Sequence, residues 1–173
     1  MSINVIINFV LFQIGWFACV LGAANNQPWL GVLVVLVVLI WHLKQAKSAK
    51  PELILLAIAL VVGAAFDQLM LSSQLLTYQA TGWSAHLVPV WILALWAVFV
   101  TALNVSLRWM HGKWLVAALF GAIGAPLAYM GAARLGAVSL NLYPQSYIAL
   151  GLGWAVMTPV LIKLAQKFDG FKP

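Results

Sequence analysis

Charge is what this sequence has least of. Of its 173 residues 7% are charged, nine Lys and Arg against three Asp and Glu, where a soluble domain carries about 25%. With 65% hydrophobic residues and a mean hydropathy of +1.03, the chain cannot cover the outside of a soluble fold with polar groups. Cysteine is almost absent too. The single Cys19 lies in an apolar run, which excludes an intrachain disulfide and leaves the thiol as a small buried hydrophobe. No polar segment is long enough to fold around a core of its own, so one domain is expected. There is no nucleophile–base pair, glycine-rich phosphate loop, CxxC, HExxH or dinucleotide fingerprint, and no cofactor is expected. Residues 1–15 lack any Lys or Arg, so the first apolar run reads as a retained helix and not as a cleaved signal peptide.

What is present is a set of apolar runs of membrane-crossing length. A helix needs about 20 apolar residues to cross the hydrocarbon core. Six stretches approach or reach that length: 3–24, 28–43, 51–71, 87–110, 114–133 and 145–165. Asn25-Asn26-Gln27-Pro28 is a polar turn with Pro at the first position of the next helix, and Pro51 opens the third helix likewise, both where a missing N–H costs nothing. His111-Gly112 makes the fourth-to-fifth connection. The expected fold is therefore all-α, an integral membrane bundle of six transmembrane helices.

The few cations give an orientation. Eight of the nine fall in three clusters at alternate ends of these runs: Lys44, Lys47 and Lys50; Arg108 and Lys113; Lys163, Lys167 and Lys172. Only Arg134 stands apart. Basic loops mark the cytoplasmic side, so both termini are expected in the cytoplasm. Trp29 and Trp83 fall at the expected outer boundaries and Trp41, Trp109 and Trp114 at the inner ones, as interfacial aromatic belts require. The net charge of +6 is thus a topology signal that favours anionic headgroups. Membrane lipids are the expected partner, and nucleic acid is not. Residues 72–85 are too polar to span, and read either as a short amphipathic piece in the outer headgroup layer or as an irregular loop. A three-plus-three inverted repeat finds little support, because Pro126 and Pro159 interrupt their helices whereas Pro28 and Pro51 only start theirs.

Ionisable side chains at membrane depth are costly and mark functional candidates. Asp67 is the clear one. Counted from Pro51 at 1.5 Å per residue it lies about 24 Å along the third helix. Gln68, His86 and Arg134 come out at a similar outer height. The four form a structural Asp67–Arg134 ion pair, a binding or proton-handling site, or a set of unrelated polar residues at the interface. One His with one Asp is too few ligands for a metal, which needs three or four. A second polar set lies toward the inner side: Asn8 in the first helix, Asn104 in the fourth, and Gln13 deeper. Such amides serve either as interhelical glue or as a headgroup or substrate pocket. The fifth helix is dense in Gly and Ala and is expected at the centre of the bundle. Trp91, Trp96 and Trp154 are deeper than belt positions and are expected to fill core space.

Several runs together carry a resemblance: Asn8-Phe-Val-Leu-Phe-Gln13-x-x-Trp16, Gly63-x-x-x-Asp67, Pro89-x-Trp91 with Leu95-Trp96-x-x-Phe99, and Gly124-x-Pro126-x-x-Tyr129 with Arg134-Leu-Gly136-Ala137. Over nearly its whole length the chain resembles a family of small multi-pass bacterial inner-membrane proteins classed as a domain of unknown function. The resemblance implies a bacterial inner-membrane location and the company of fatty-acyl-modifying enzymes resembling cyclopropane fatty acid synthases. It supplies no catalytic residues. Three functional classes stand: an accessory or binding protein for membrane-lipid modification, using Asn8, Gln13 and Asn104 for orientation; a small transporter or channel using Asp67; and a membrane enzyme with Asp67 and His86 as acid and base. The first is the leading expectation.

Overall fold

The computed structural model describes residues 3–172. Six α-helices form one bundle: α1 Ile3–Ala24, α2 Pro28–Gln45, α3 Ala49–Ser72, α4 Val90–Leu103, α5 Trp114–Arg134 and α6 Gln145–Lys167. Five of them are long and apolar enough to cross a membrane. Large apolar side chains such as Ile3, Leu33, Val37, Val61, Leu69 and Val156 lie exposed along them, the outward face that hydrocarbon would cover. The all-helical, membrane-length reading of the sequence is what the chain adopts.

The fourth helix departs from expectation. The apolar run 87–110 is not one long span: α4 covers 14 residues, or about 21 Å, followed by turns and a single 3₁₀ turn at Arg108–Met110. The expectation that α5 forms the centre is also corrected. Eleven of the fourteen α4 residues are buried, against Ala117, Gly121, Ala125 and Ala132 alone on α5. A helix wrapped by protein need not match the thickness of a bilayer, so α4 stays short. The small residues of α5 serve one neighbour instead. A Cβ on Gly121 would collide with the Trp154 carbonyl and the Thr158 hydroxyl of α6, and this close approach makes α5–α6 the most extensive helix pair.

Residues 72–85 contain a strand where neither of the two expected forms places one. β1 (Leu76–Tyr78) pairs antiparallel with β2 (Val138–Leu140), tying the far end of α3 to the far end of α5. At the opposite end, the Ser48 amide donates to the Gly170 carbonyl (3.1 Å) and Arg108 pairs with Asp169 at 2.7 Å. These two contacts bring the three basic clusters to one end of the bundle, leaving Arg134 at the other.

Candidate functional site

Asp67 is fully buried, and its partners are not those that its spacing suggested. It accepts from Tyr78 Oη (2.6 Å) and Tyr129 Oη (2.5 Å) on Oδ1, and from Trp96 Nε1 (2.6 Å) on Oδ2. The sequence dictates this locally. Gly63 lies one turn before Asp67 on the same face of α3, and a Cβ there would overlap the Trp96 indole. Glycine thus lets the ring lie against α3, with its N–H reaching the carboxylate. Three elements converge on one side chain: α4 through Trp96, β1 through Tyr78 and α5 through Tyr129. Burial pushes the Tyr78 hydroxyl well above its ordinary range, and the nearby Tyr129 and Asp67 oxygens push it the same way, so it remains a donor at any physiological pH.

The Asp67–Arg134 ion pair does not form. Arg134 is exposed at the end of α5, and the carboxylate is satisfied without a cation. The His86 side chain is exposed as well. Gln68 takes a structural role: its amide donates to the His86 carbonyl (3.0 Å) and accepts from the Val88 amide (2.9 Å), fixing the entry to α4. The four outer candidates therefore divide into a buried anchor, a clamp and two surface groups.

Behind Trp96 and Tyr129 lies the main cavity of the described residues, about 460 Å³ between α1, α4, α5 and α6. Its volume falls within the roughly 300–1,000 Å³ of small-molecule sites. The wall is mostly aromatic and aliphatic. Trp96 and Trp154 stack at 4.7 Å with Phe99 edge-on to both, and Phe12 and Trp16 face them from α1. The rim includes Phe9, Phe120 and Leu127, which are 52%, 42% and 54% exposed. The cavity therefore opens sideways along the α1–α5 seam, where a membrane's hydrocarbon would lie. Among the described residues no group of three or more His, Cys, Asp or Glu is placed to hold a metal.

A family model described as "Protein of unknown function (DUF2878)" matches residues 5–160. The chain belongs to the DUF2878 family. No curated protein and no solved structure matches it. The matched span carries all of the Asp67 network and the cavity.

At the basic end of this DUF2878 chain is a second polar centre. Glu52, in the first turn of α3 where the helix dipole favours an anion, contacts His42 Nε2 (3.0 Å) and accepts from Asn104 Nδ2 (2.8 Å) and the Gly170 amide (2.8 Å). Asn104 Nδ2 also reaches the Phe168 carbonyl (3.0 Å). Asn8 is buried and donates to the Thr101 carbonyl (2.9 Å) while accepting from Ser106 N (3.3 Å). Both amides thus join helices or segments, and a smaller pocket of about 250 Å³ touches Asn104 and Arg108. Gln13 is the one inner candidate that lines the main cavity. Sequence reasoning missed Glu52, His42, Asp169 and Thr158. Glu52 sits among Lys47, Lys50 and Pro51, where a lone acid reads as a solvated loop charge. The only available signal was scarcity: in a chain with three acids, each one is costly enough to be placed.

Proposed function

We propose that the chain is an inner-membrane protein, with both termini cytoplasmic, that holds the acyl chain of a membrane lipid in its sideways-opening cavity. It would act as a binding or accessory component for an enzyme that modifies fatty-acyl groups. The observation that carries this reading is the cavity itself: apolar, aromatic, large enough for one chain, and rimmed by side chains that would face hydrocarbon. The gathering of three basic clusters at one end supports the orientation. The transporter reading draws on Asp67, which is fully buried and held by three donors. A coupling group must exchange with water or substrate, so the lipid reading is the better supported.

Gly124 provides the test. It lines the cavity, and a Cβ built there meets nothing within 4 Å, so a side chain added at this position starts in open space, and Gly124→Leu is the variant that should occupy it. Deletion of the gene is expected to change the cellular fatty-acid profile. The wild-type chain restores it, and an equally expressed Gly124→Leu chain does not. An unchanged profile on deletion sinks the proposal.

A further inference from the structure

The smaller pocket, about 250 Å³, lies at the basic end between the start of α1, the end of α2 and the turn after α4. Eight of the nine Lys and Arg gather at this end, with Glu52 and Asp169 as the acids among them, so its field attracts anions. Arg108 supplies the fixed cation of the lining. Its Nε–H donates to the Asn104 carbonyl (2.7 Å) and its Nη2 to Asp169 Oδ1 (2.7 Å). The Asp169 side chain is 1% exposed and that of Arg108 is 38% exposed. The acid therefore orients the guanidinium from the protein side and leaves part of it open. Of a guanidinium's five N–H donors, three stay uncommitted among the described residues, the Nη1 pair among them. Asn4 and Gln45, both exposed, bring side-chain amides to the same lining. Each accessible polar side chain here can donate to an anion.

The apolar groups around the pocket say where the rest of its ligand lies. Trp41 lines the pocket and Trp109, next to Arg108, is 52% exposed, which is the pattern of an interfacial aromatic belt. On α2, Gln45, Trp41 and Val37 follow one another four residues apart and share a face. Val37 is 67% exposed and lies about 12 Å deeper than Gln45. One stripe of α2 thus leads from the pocket to bare apolar surface. We propose that this pocket seats the phosphate of an anionic phospholipid from the leaflet at the basic end, with the acyl chains laid along that stripe. The Arg108 guanidinium takes two phosphate oxygens as a fork, and the Asn4 and Gln45 amides donate beside it. A soluble phosphate ester would satisfy the same donors but leave the stripe bare. The site is separate from the acyl recess, with which its lining shares no residue.

The experiment is native mass spectrometry of the full chain purified in detergent, titrated with phosphatidylglycerol and with phosphatidylcholine of identical acyl chains. The recess meets the same chains in both, so the difference in affinity reads the headgroup alone. The wild type is expected to prefer phosphatidylglycerol about five- to tenfold. Gln45→Glu puts a negative charge into the lining and should erase that preference. Lys163→Gln lowers the net charge by the same amount at an exposed position outside the pocket and should leave it intact. Arg108→Lys keeps the charge but loses the fork, and should weaken phosphatidylglycerol about threefold or more. No effect of Gln45→Glu, or equal losses in Gln45→Glu and Lys163→Gln, overturns the site and leaves only diffuse attraction to the basic end. Glycerol phosphate serves as competitor. If it displaces the lipid at equal concentration, the lipid source is overturned; if it fails to do so in large excess, the lipid source is upheld.

Discussion

Replacing Asp67 with asparagine changes one atom and should be costly. The carboxylate offers two acceptor oxygens to three donors at 2.5–2.6 Å. Asparagine keeps one acceptor and adds two N–H donors. If its oxygen stays with the tyrosines, its amide nitrogen faces Trp96 Nε1–H, donor against donor. If it flips, Trp96 is satisfied, but the two tyrosine hydroxyls lose the acceptor they share. Either arrangement leaves at least one buried donor unpaired, for about 1–3 kcal/mol. Asp67→Leu orphans all three donors and should cost more, though less than three times as much because the sites share a partner. In a chain of this size roughly 2–4 °C of Tm follows each kcal/mol, so Asp67→Asn should lower Tm by several degrees in detergent. Tyr129→Phe should cost less in the Asp67→Asn background than in the wild type, the signature of a shared network. An Asp67→Asn protein with wild-type Tm, or purely additive losses, would refute the reasoning.

Two further outcomes concern the basic end. Glu52→Ala removes the acceptor for Asn104 Nδ2 and the Gly170 amide, so residues 168–172 should loosen, seen as faster amide exchange at Gly170. Glu52→Gln should be tolerated, since His42 Nε2 can accept from the new amide once its proton moves to the unpartnered Nδ1. His111 gives a pH effect: burial lowers its pKa, nearby Arg108 and Lys172 lower it further, and the Leu103 carbonyl and Asp169 only partly offset this. A folded value below the unfolded value of about 6.5 means that the unfolded chain binds the proton first. Its contribution is then complete above about pH 6.5 and is lost as the pH falls through the folded value. Tm should drop on mild acidification, with a shallower slope in His111→Gln.

The sequence carried the architecture because membrane physics writes it coarsely. Apolar runs of the required length and cations at alternate ends give the helices and their shared ends without knowledge of any contact. Boundaries failed at run 87–110, where α4 stops at Leu103 and the polar Asn104 just beyond it turns to Glu52 and the Phe168 carbonyl. Asp67 was legible as an ion at depth, but its partners were not, since opposite charge suggested Arg134 and geometry supplied two phenols and an indole. Gly63-x-x-x-Asp67 held part of the answer, since the glycine admits the same ring that the carboxylate binds. The strand pair that brings Tyr78 to Asp67 joins segments about sixty residues apart, and no local pattern announces such a pairing. Glu52 stayed hidden because acids beside lysines ordinarily face water.

Native mass spectrometry of the chain released from native membranes addresses most directly whether the aromatic recess is occupied by lipid. The wild-type protein should carry one bound amphiphile that survives delipidation, and Gly124→Leu, equally folded, should fly bare. Identical spectra for the two proteins, whether both bare or both loaded, would contradict the account.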